Sequence, residues 1–130
     1  MPSDTQPPTL GILLISGTHE RAHYAFVMAA GAAALGRDVV LFATNAGCRA
    51  LLTDWSGLTD AGRDRHVRES GVAGLAELRE AALELDVRMI ACEAGLRAEG
   101  IDRAGLLSRT EVAGVATFLE AVAAGQIVTL

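Results

Sequence analysis

The run Thr9–Ile15, with the sequence TLGILLI, decides the fold of this chain. It is short and almost wholly apolar, which is typical of a parallel strand buried on both faces. Ser16-Gly17-Thr18 follows it as a turn whose residues favour a helix N-cap. A helix is predicted from about His19 to Leu35, and Gly36 is expected to end it. A buried strand that leads directly into a long helix is typical of the start of a β-α-β unit.

The rest of the chain repeats this alternation of strands and helices. Short apolar runs predict four more strands, and the segments between them predict helices. The order β-α-β-α-α-β-α-β-α-β implies a three-layer α/β/α fold with a five-stranded parallel sheet. The later strands are predicted at Asp38–Ala43, Val87–Ala91, Arg109–Val112 and Gln126–Leu130, and the later helices at Asn45–Leu52, Gly71–Asp86, directly after Cys92, and at Gly114–Ala124.

Length and charge restrict the class of protein. The 130 residues suit one domain over residues 9–130, preceded by a polar, proline-containing lead-in over residues 1–8 that we expect to be disordered. A net charge of −5 argues against a nucleic-acid partner. No apolar run approaches the ~20 residues of a membrane span, so no membrane contact is expected. Two cysteines and a start without a basic signal-peptide region favour a reducing cytoplasm.

The apolar content predicts a homo-oligomer. Hydrophobic residues make up 51% of the chain although aromatic residues make up only 4%, and the mean hydropathy is +0.33. A domain of this size has a large surface for its volume, so we expect another subunit to cover some of the apolar surface. The predicted last helix, rich in alanine and valine, is a candidate for that contact.

Cys92 is the leading candidate for a catalytic residue. It directly follows the apolar run Val87–Ala91, so its thiol lies where a strand ends. Ligands bind at the carboxyl ends of parallel strands. If a helix starts just after Cys92, its free N–H groups stabilise a thiolate. The alternative is an inert cysteine that packs as a small hydrophobic residue.

Cys48 is the secondary candidate thiol. It follows the second predicted strand, so both thiols share one edge of the sheet if the two strands are neighbours. One interpretation is a dithiol relay, and the one we favour is a helix cysteine packed against the sheet. Asn45 is predicted to cap that short helix. Local charge alone favours a thiolate at Cys48, because Arg49 adjoins it whereas Glu93 adjoins Cys92.

The segment from His19 to His23 matches the zinc motif H-E-x-x-H. On a helix this spacing places both imidazoles on one face, with Glu20 as general base for a zinc-bound water. No clear third ligand follows, so a polar helix start is the favoured interpretation. A metal site at His19 and His23 that Cys92 completes stays open. No other cofactor is expected, because the chain has neither a P-loop nor a G-x-G-x-x-G motif.

The polar segment Thr53–Ser70 is predicted to be the longest irregular stretch and a lid over a site. It contains Arg63, Arg65, His66 and Arg68. These side chains are typical of a solvated surface. Alternatively, they attract an anionic sulfur species or the acidic face of a partner.

The order and spacing of five segments resemble the DsrE/DsrF-like family of small sulfur-relay proteins. The segments are Gly11–Gly17 before the alanine-rich helix, Gly36–Phe42, Met89–Cys92, Val112–Glu120 and Ile127–Leu130. The resemblance implies a three-layer α/β/α fold with a five-stranded parallel sheet, and assembly into homotrimers or homohexamers. It also implies that Cys92 carries a persulfide between a sulfur donor protein and an acceptor protein.

We therefore predict a small cytoplasmic sulfur-relay protein with sulfurtransferase or sulfur-carrier activity. Two features depart from the family pattern, namely Glu93 beside the cysteine and the pair His19 and His23. One alternative is a non-catalytic oligomeric binding protein of the same fold. The other is a metal-binding protein that uses His19 and His23, with or without Cys92.

Overall fold

The structure is a computed structural model that describes residues 6–130. Residues 1–5 of the predicted lead-in lie outside the described residues, and residues 6–8 are exposed and irregular. The strands are β1 (Leu10–Leu14), β2 (Val39–Ala43), β3 (Arg88–Cys92), β4 (Glu111–Ala113) and β5 (Gln126–Thr129). The α-helices are α1 (His19–Ala34), α2 (Arg63–Glu69), α3 (Leu75–Glu84), α4 (Glu93–Glu99) and α5 (Val115–Val122), with short 3-10 helices at Asn45–Leu51 and Arg103–Gly105.

The five strands form one parallel sheet in the order β4-β3-β2-β1-β5. The predicted five-stranded parallel sheet is thus confirmed. β1 lies between β2 and β5, and its residues Leu10, Ile12 and Leu14 are buried. The run Thr9–Ile15 is apolar because helices cover both faces of the strand that it forms.

Helices cover the two faces of the sheet unequally, which completes the predicted three layers. Alternate strand residues, among them Ile12, Leu41 and Met89, pack with α1, α3 and α4 on one face. On the other face, Phe118 and other residues of α5 pack on the remaining strand residues. The Phe42 and Phe118 rings stack there, with centroids 5.1 Å apart. We call these two surfaces the α1 face and the α5 face.

The connections of the sheet diverge at the end of β3. The chain leaves β1, β2 and β3 on the α1 face, whereas it leaves β4 toward α5 on the opposite face. Cys92 is paired in register with Ala113, the last residue of β4. In open α/β sheets, ligands bind in the crevice between neighbouring strands whose connections run to opposite faces. The topology therefore places such a crevice beside Cys92.

Four local predictions are wrong. The helix predicted over Gly71–Asp86 begins only at Leu75, because Gly71 has a φ of +82° that a helix does not accept. Residues 63–69 form α2 instead of a loop, because Asp64 and Val67 face inward at i and i+3. Asn45 does not cap its helix, since its φ is +51° and Thr44 occupies the N-cap position without a side-chain bond. β4 begins at Glu111, two residues late, because Arg109 has a φ of +75° that a strand does not accept. None of the helices within residues 6–130 has the length and apolar character to cross a membrane.

The buried carboxylate of Asp64 joins α1, α2 and α3. It accepts hydrogen bonds from His19 Nε2 at 2.8 Å, from the Leu75 amide at 2.8 Å and from Arg68 Nε at 3.1 Å. Burial alone would raise the pKa of Asp64, but the Leu75 amide, His19 and Arg68 outweigh it and hold that pKa below its usual value. The ionised form of Asp64 is therefore the one that the fold stabilises.

We expect Asp64→Asn to lower the free energy of unfolding by about 2–3 kcal/mol at neutral pH, because the buried donors lose an ionised acceptor. The lowered pKa means that this contribution is present above about pH 4 and is lost as the pH falls through the folded-state pKa. Urea unfolding at several pH values should show the parent losing more stability than the variant on acidification. Asp86→Asn is the matched control, since the Asp86 side chain is 94% exposed. Equal free energies of unfolding for the parent and Asp64→Asn at neutral pH would contradict the role of Asp64 in joining α1, α2 and α3.

Candidate functional site

Cys92 is both the last residue of β3 and the N-cap of α4. The Gly95 amide donates to the Cys92 sulfur at 3.4 Å, and Cys92 is 7% exposed. The helix predicted to start directly after Cys92 is therefore present. The Cys92 sulfur therefore accepts a backbone N–H and lies at the N-terminal end of a helix.

A close backbone contact at Gly95 fixes α4 against the end of β2. A Cβ at this position would collide with the backbone nitrogen of Asn45 and lie 2.8 Å from Thr44 Oγ1. Gly47 makes a similar contact, because a Cβ there would collide with the Leu14 carbonyl group at the end of β1. The glycines bring the segments that follow β1, β2 and β3 into direct contact.

Cys48 lies at the same edge of the sheet, as predicted, beside the backbone amide of Cys92. It is fully buried, and its thiol donates to the Ala43 carbonyl oxygen at 3.4 Å. Burial raises the pKa of Cys48 to about 11, although the Cys92 amide and Arg49 act in the opposite direction. Cys48 is thus a neutral, packed thiol at physiological pH, as the favoured interpretation predicted.

Arg49 lowers the pKa of Cys48 as expected, but this local charge does not decide the state of the thiol. Arg49 Nη1 is paired with Glu99 Oε1 at 2.7 Å, and Glu99 itself raises the Cys48 pKa. Glu93 is also compensated, because its carboxylate lies 3.2 Å from Arg97 and 3.9 Å from Arg103. Burial is the largest cause of the raised pKa, so it outweighs the neighbouring arginine.

Comparison with known sequences gives a match along nearly the entire described chain. The model of the DsrE/DsrF-like family matches residues 10–130. The chain belongs to the DsrE/DsrF-like family. A curated relative, named sulfur carrier protein DsrE2, comes from Allochromatium vinosum. It is 27% identical over 143 aligned positions, which cover 85% of this chain and 90% of the relative.

Solved structures with this fold come from a bacterium and an archaeon. The ychN protein of E. coli superposes with a TM-score of 0.71 at 14% identity, covering 95% of this chain and 99% of that chain. A protein of unknown function from Methanobacterium thermoautotrophicum gives 0.62 at 17% identity with the same coverage. At these identities the structural similarity shows only a shared fold. The assignment to the DsrE/DsrF-like family rests on the match of the family model to residues 10–130.

The H-E-x-x-H histidines of this DsrE/DsrF-like protein are hydrogen-bonded to α2 and to the segment between α2 and α3. His19 is fully buried, with Nε2 bonded to Asp64, and His23 Nε2 donates to the Ala73 carbonyl oxygen at 2.8 Å. Within residues 6–130, no three histidine, cysteine, aspartate or glutamate side chains form a group that could hold a metal ion. Cys92 packs on the α5 face, away from these histidines. Metal binding at His19 and His23 therefore stays a prediction that the arrangement does not support.

The predicted anion-binding residues fall into two pairs on α2. Arg63 and His66 line a cavity that α2 shares with α1, and Glu20 and His23 line the same cavity. Arg65 and Arg68 instead form ion pairs on their own helix, with Glu69 at 3.3 Å and with Asp64 at 3.1 Å. Residues 63–69 of the predicted lid form a helix that Asp64 ties to α1, whereas residues 53–62 are irregular as predicted.

Two residues that position the helices of this protein were not identified from the sequence. Asp64 has no distinctive signal, because a lone aspartate among arginines has the pattern of a solvated surface. Gly95 does have one, since it stands in the first turn of the helix predicted after Cys92. A glycine inside a helix lowers the stability of that helix. Its presence there therefore indicates that another backbone segment packs closely against it.

We expect iodoacetamide to label Cys92 faster than Cys48 in the folded protein at neutral pH. Cys48 is fully buried with a pKa raised to about 11, whereas the Cys92 sulfur accepts the Gly95 amide and is slightly exposed. Peptide mass spectrometry across a pH series measures both rates. In urea both cysteines should react at similar rates, which is the control. Faster labelling of Cys48 with Cys92 protected in the folded protein would falsify the assignment.

Proposed function

We propose that this protein carries sulfur as a persulfide on Cys92, between a donor protein and an acceptor protein. The observation that carries the proposal is a strand-end thiol that caps a helix in the crevice where the connections of β3 and β4 diverge. Family membership and the similarity to a relative named as a sulfur carrier support it. The same proposal includes sulfurtransferase activity, which is the transfer of sulfur from the donor protein to the acceptor protein.

The transfer consists of two balanced exchange steps. The Cys92 thiolate attacks the outer, sulfane sulfur of a donor persulfide, so a new sulfur–sulfur bond forms as the donor's bond breaks. The donor leaves as a thiolate that takes up a proton. An acceptor thiolate then attacks the outer sulfur of the Cys92 persulfide and releases the Cys92 thiolate. No external oxidant or reductant is required, because each step exchanges one sulfur–sulfur bond for another.

In this proposal the two thiols have different roles. Cys92 is the sulfur carrier, and the Gly95 N–H donates to its sulfur. Cys48 stays protonated because burial raises its pKa to about 11, so it does not compete for the sulfane sulfur. A reducing cytoplasm, the compartment we infer, keeps both thiols free between cycles.

Incubation with a sulfane-sulfur donor should add the mass of one sulfur atom to the parent protein. Cys92→Ser should abolish the addition, because it removes the nucleophile. Cys48→Ser is the matched control and should retain it. Intact-mass spectrometry reads all three, and reduction should reverse the addition. Loss of the added sulfur in Cys48→Ser, with retention in Cys92→Ser, would contradict the proposal.

We also infer that the protein works as a homo-oligomer, a trimer or a hexamer. Val115 and Leu119 on α5 are 54% and 52% exposed, and Ile127 on the adjacent edge strand is 44% exposed. Of the described helices, only α5 packs on its face of the sheet. An exposed apolar helix face of this kind is typical of an obligate subunit interface.

Leu119→Glu should shift the oligomer toward smaller species, because a buried interface rarely tolerates an unpaired charge. Leu35→Glu is the control, since Leu35 is 81% exposed at the end of α1. Light scattering at micromolar concentration measures both variants and the parent. A parent protein that is a stable monomer would contradict the inference.

A further inference from the structure

A cavity of about 400 Å³ lies between the first turns of α1 and the helix α2. It is on the α1 side of the molecule, whereas the Cys92 side chain packs on the α5 face. Small-molecule sites typically have volumes of about 300–1,000 Å³. We propose that this cavity binds a small organic anion, with an apolar or aromatic body and one carboxylate. The proposal is independent of the persulfide role of Cys92.

The apolar part of the cavity accounts for the body of the ligand. Tyr24 and Val72 are 55% and 50% exposed, and both line the cavity together with the buried Val67. Exposed apolar side chains gathered in one concave surface are typical of a binding site. An apolar or aromatic group placed here removes that surface from water.

Arg63 supplies the charge that selects an anion. Its Nη2 lies 3.8 Å from Glu20 Oε2, which is too long for a good hydrogen bond, and the Arg63 side chain is 47% exposed. Within residues 6–130 the guanidinium forms no hydrogen bond. A planar guanidinium binds a carboxylate through two parallel N–H donors. A ligand carboxylate therefore fits Arg63 better than the distant Glu20 carboxylate does.

His23 adds a polar side chain to the lining of the cavity. His23 Nε2 contacts the Ala73 carbonyl oxygen at 2.8 Å, and a carbonyl only accepts, so Nε2 carries the hydrogen. Nδ1 of the neutral ring is then an acceptor for a ligand N–H or O–H. The His23 ring also stacks on His19, with centroids 5.5 Å apart.

The walls of the cavity are held in place before any ligand arrives. His19 is bonded to Asp64, which fastens α2 to α1. The Ala73 contact holds the His23 ring in the same way. A site that is already ordered loses less entropy on binding.

The wall chemistry favours an organic anion over a metal ion or a free inorganic oxyanion. The described residues contain no three-donor group for a metal. An inorganic ion on Arg63 would leave Tyr24 and Val72 in water, so it would use only part of the cavity. An apolar body with a carboxylate satisfies both parts at once.

The test is an NMR titration of the full isotope-labelled chain with phenylacetate and with hexanoate, against the uncharged phenylacetamide. We expect saturable shifts confined to the amides of residues 19–24 and 63–73, with phenylacetamide binding about tenfold more weakly. Absence of saturable shifts there with both anions would overturn the proposal. Equal affinity for phenylacetate and its amide would overturn it too.

Two variants and a matched control test the assigned charges. Arg63→Gln should weaken phenylacetate binding about tenfold, whereas Glu20→Gln should tighten it about twofold by removing a competing carboxylate. Arg65→Gln should leave the affinity unchanged, because Arg65 does not line the cavity and pairs with Glu69. Dispersed spectra show that each variant is folded. Parent-like affinity in folded Arg63→Gln would refute the site.

Discussion

The position of the candidate thiol depends on one close contact between backbones. Gly95 lets the first turn of α4 lie directly against the Thr44–Asn45 junction, where any side chain would collide. That contact sets the direction of α4, so it also sets the amide that points at the Cys92 sulfur. A helix displaced by the width of one methyl group would lose this bond, because hydrogen bonds weaken steeply with misalignment. The charge environment of Cys92 thus rests on a residue without a side chain.

Burial is the largest cause that acts on the pKa of the Cys48 thiol. A helix N-terminus contributes about 0.3–1 kcal/mol to a charge in its first turn. The rise in the Cys48 pKa from 9.0 to about 11 corresponds to about 3 kcal/mol. Desolvation therefore exceeds both the helix dipole and the neighbouring Arg49. The pKa of Cys48 thus depends on the depth of its sulfur in the fold, which adjacent residues in a sequence do not reveal.

The sequence predicted the sheet well because buried parallel strands are visible as apolar runs such as Thr9–Ile15. It failed at α2, whose inward side is made by Asp64 as much as by Val67, so the helix has no apolar stripe. The H-E-x-x-H motif has the same limit. Its spacing does place both imidazoles on one face, but their partners are Asp64 and the Ala73 carbonyl group, which lie far along the chain. Burial and pairing of polar groups across the fold were the information that the sequence lacked.

Topology links the thiol to the proposed assembly. α5 begins at Val115, two residues after Ala113, and Ala113 is the register partner of Cys92. The helix that exposes Val115 and Leu119 therefore starts next to the edge that holds the thiol. A second copy packed on α5 would border the same crevice. Donor and acceptor proteins would then approach Cys92 beside a subunit boundary, and the shape of that boundary would restrict which of them reach a sulfur that is only 7% exposed. Assembly and sulfur transfer would in that case be selected together, because one helix shapes both.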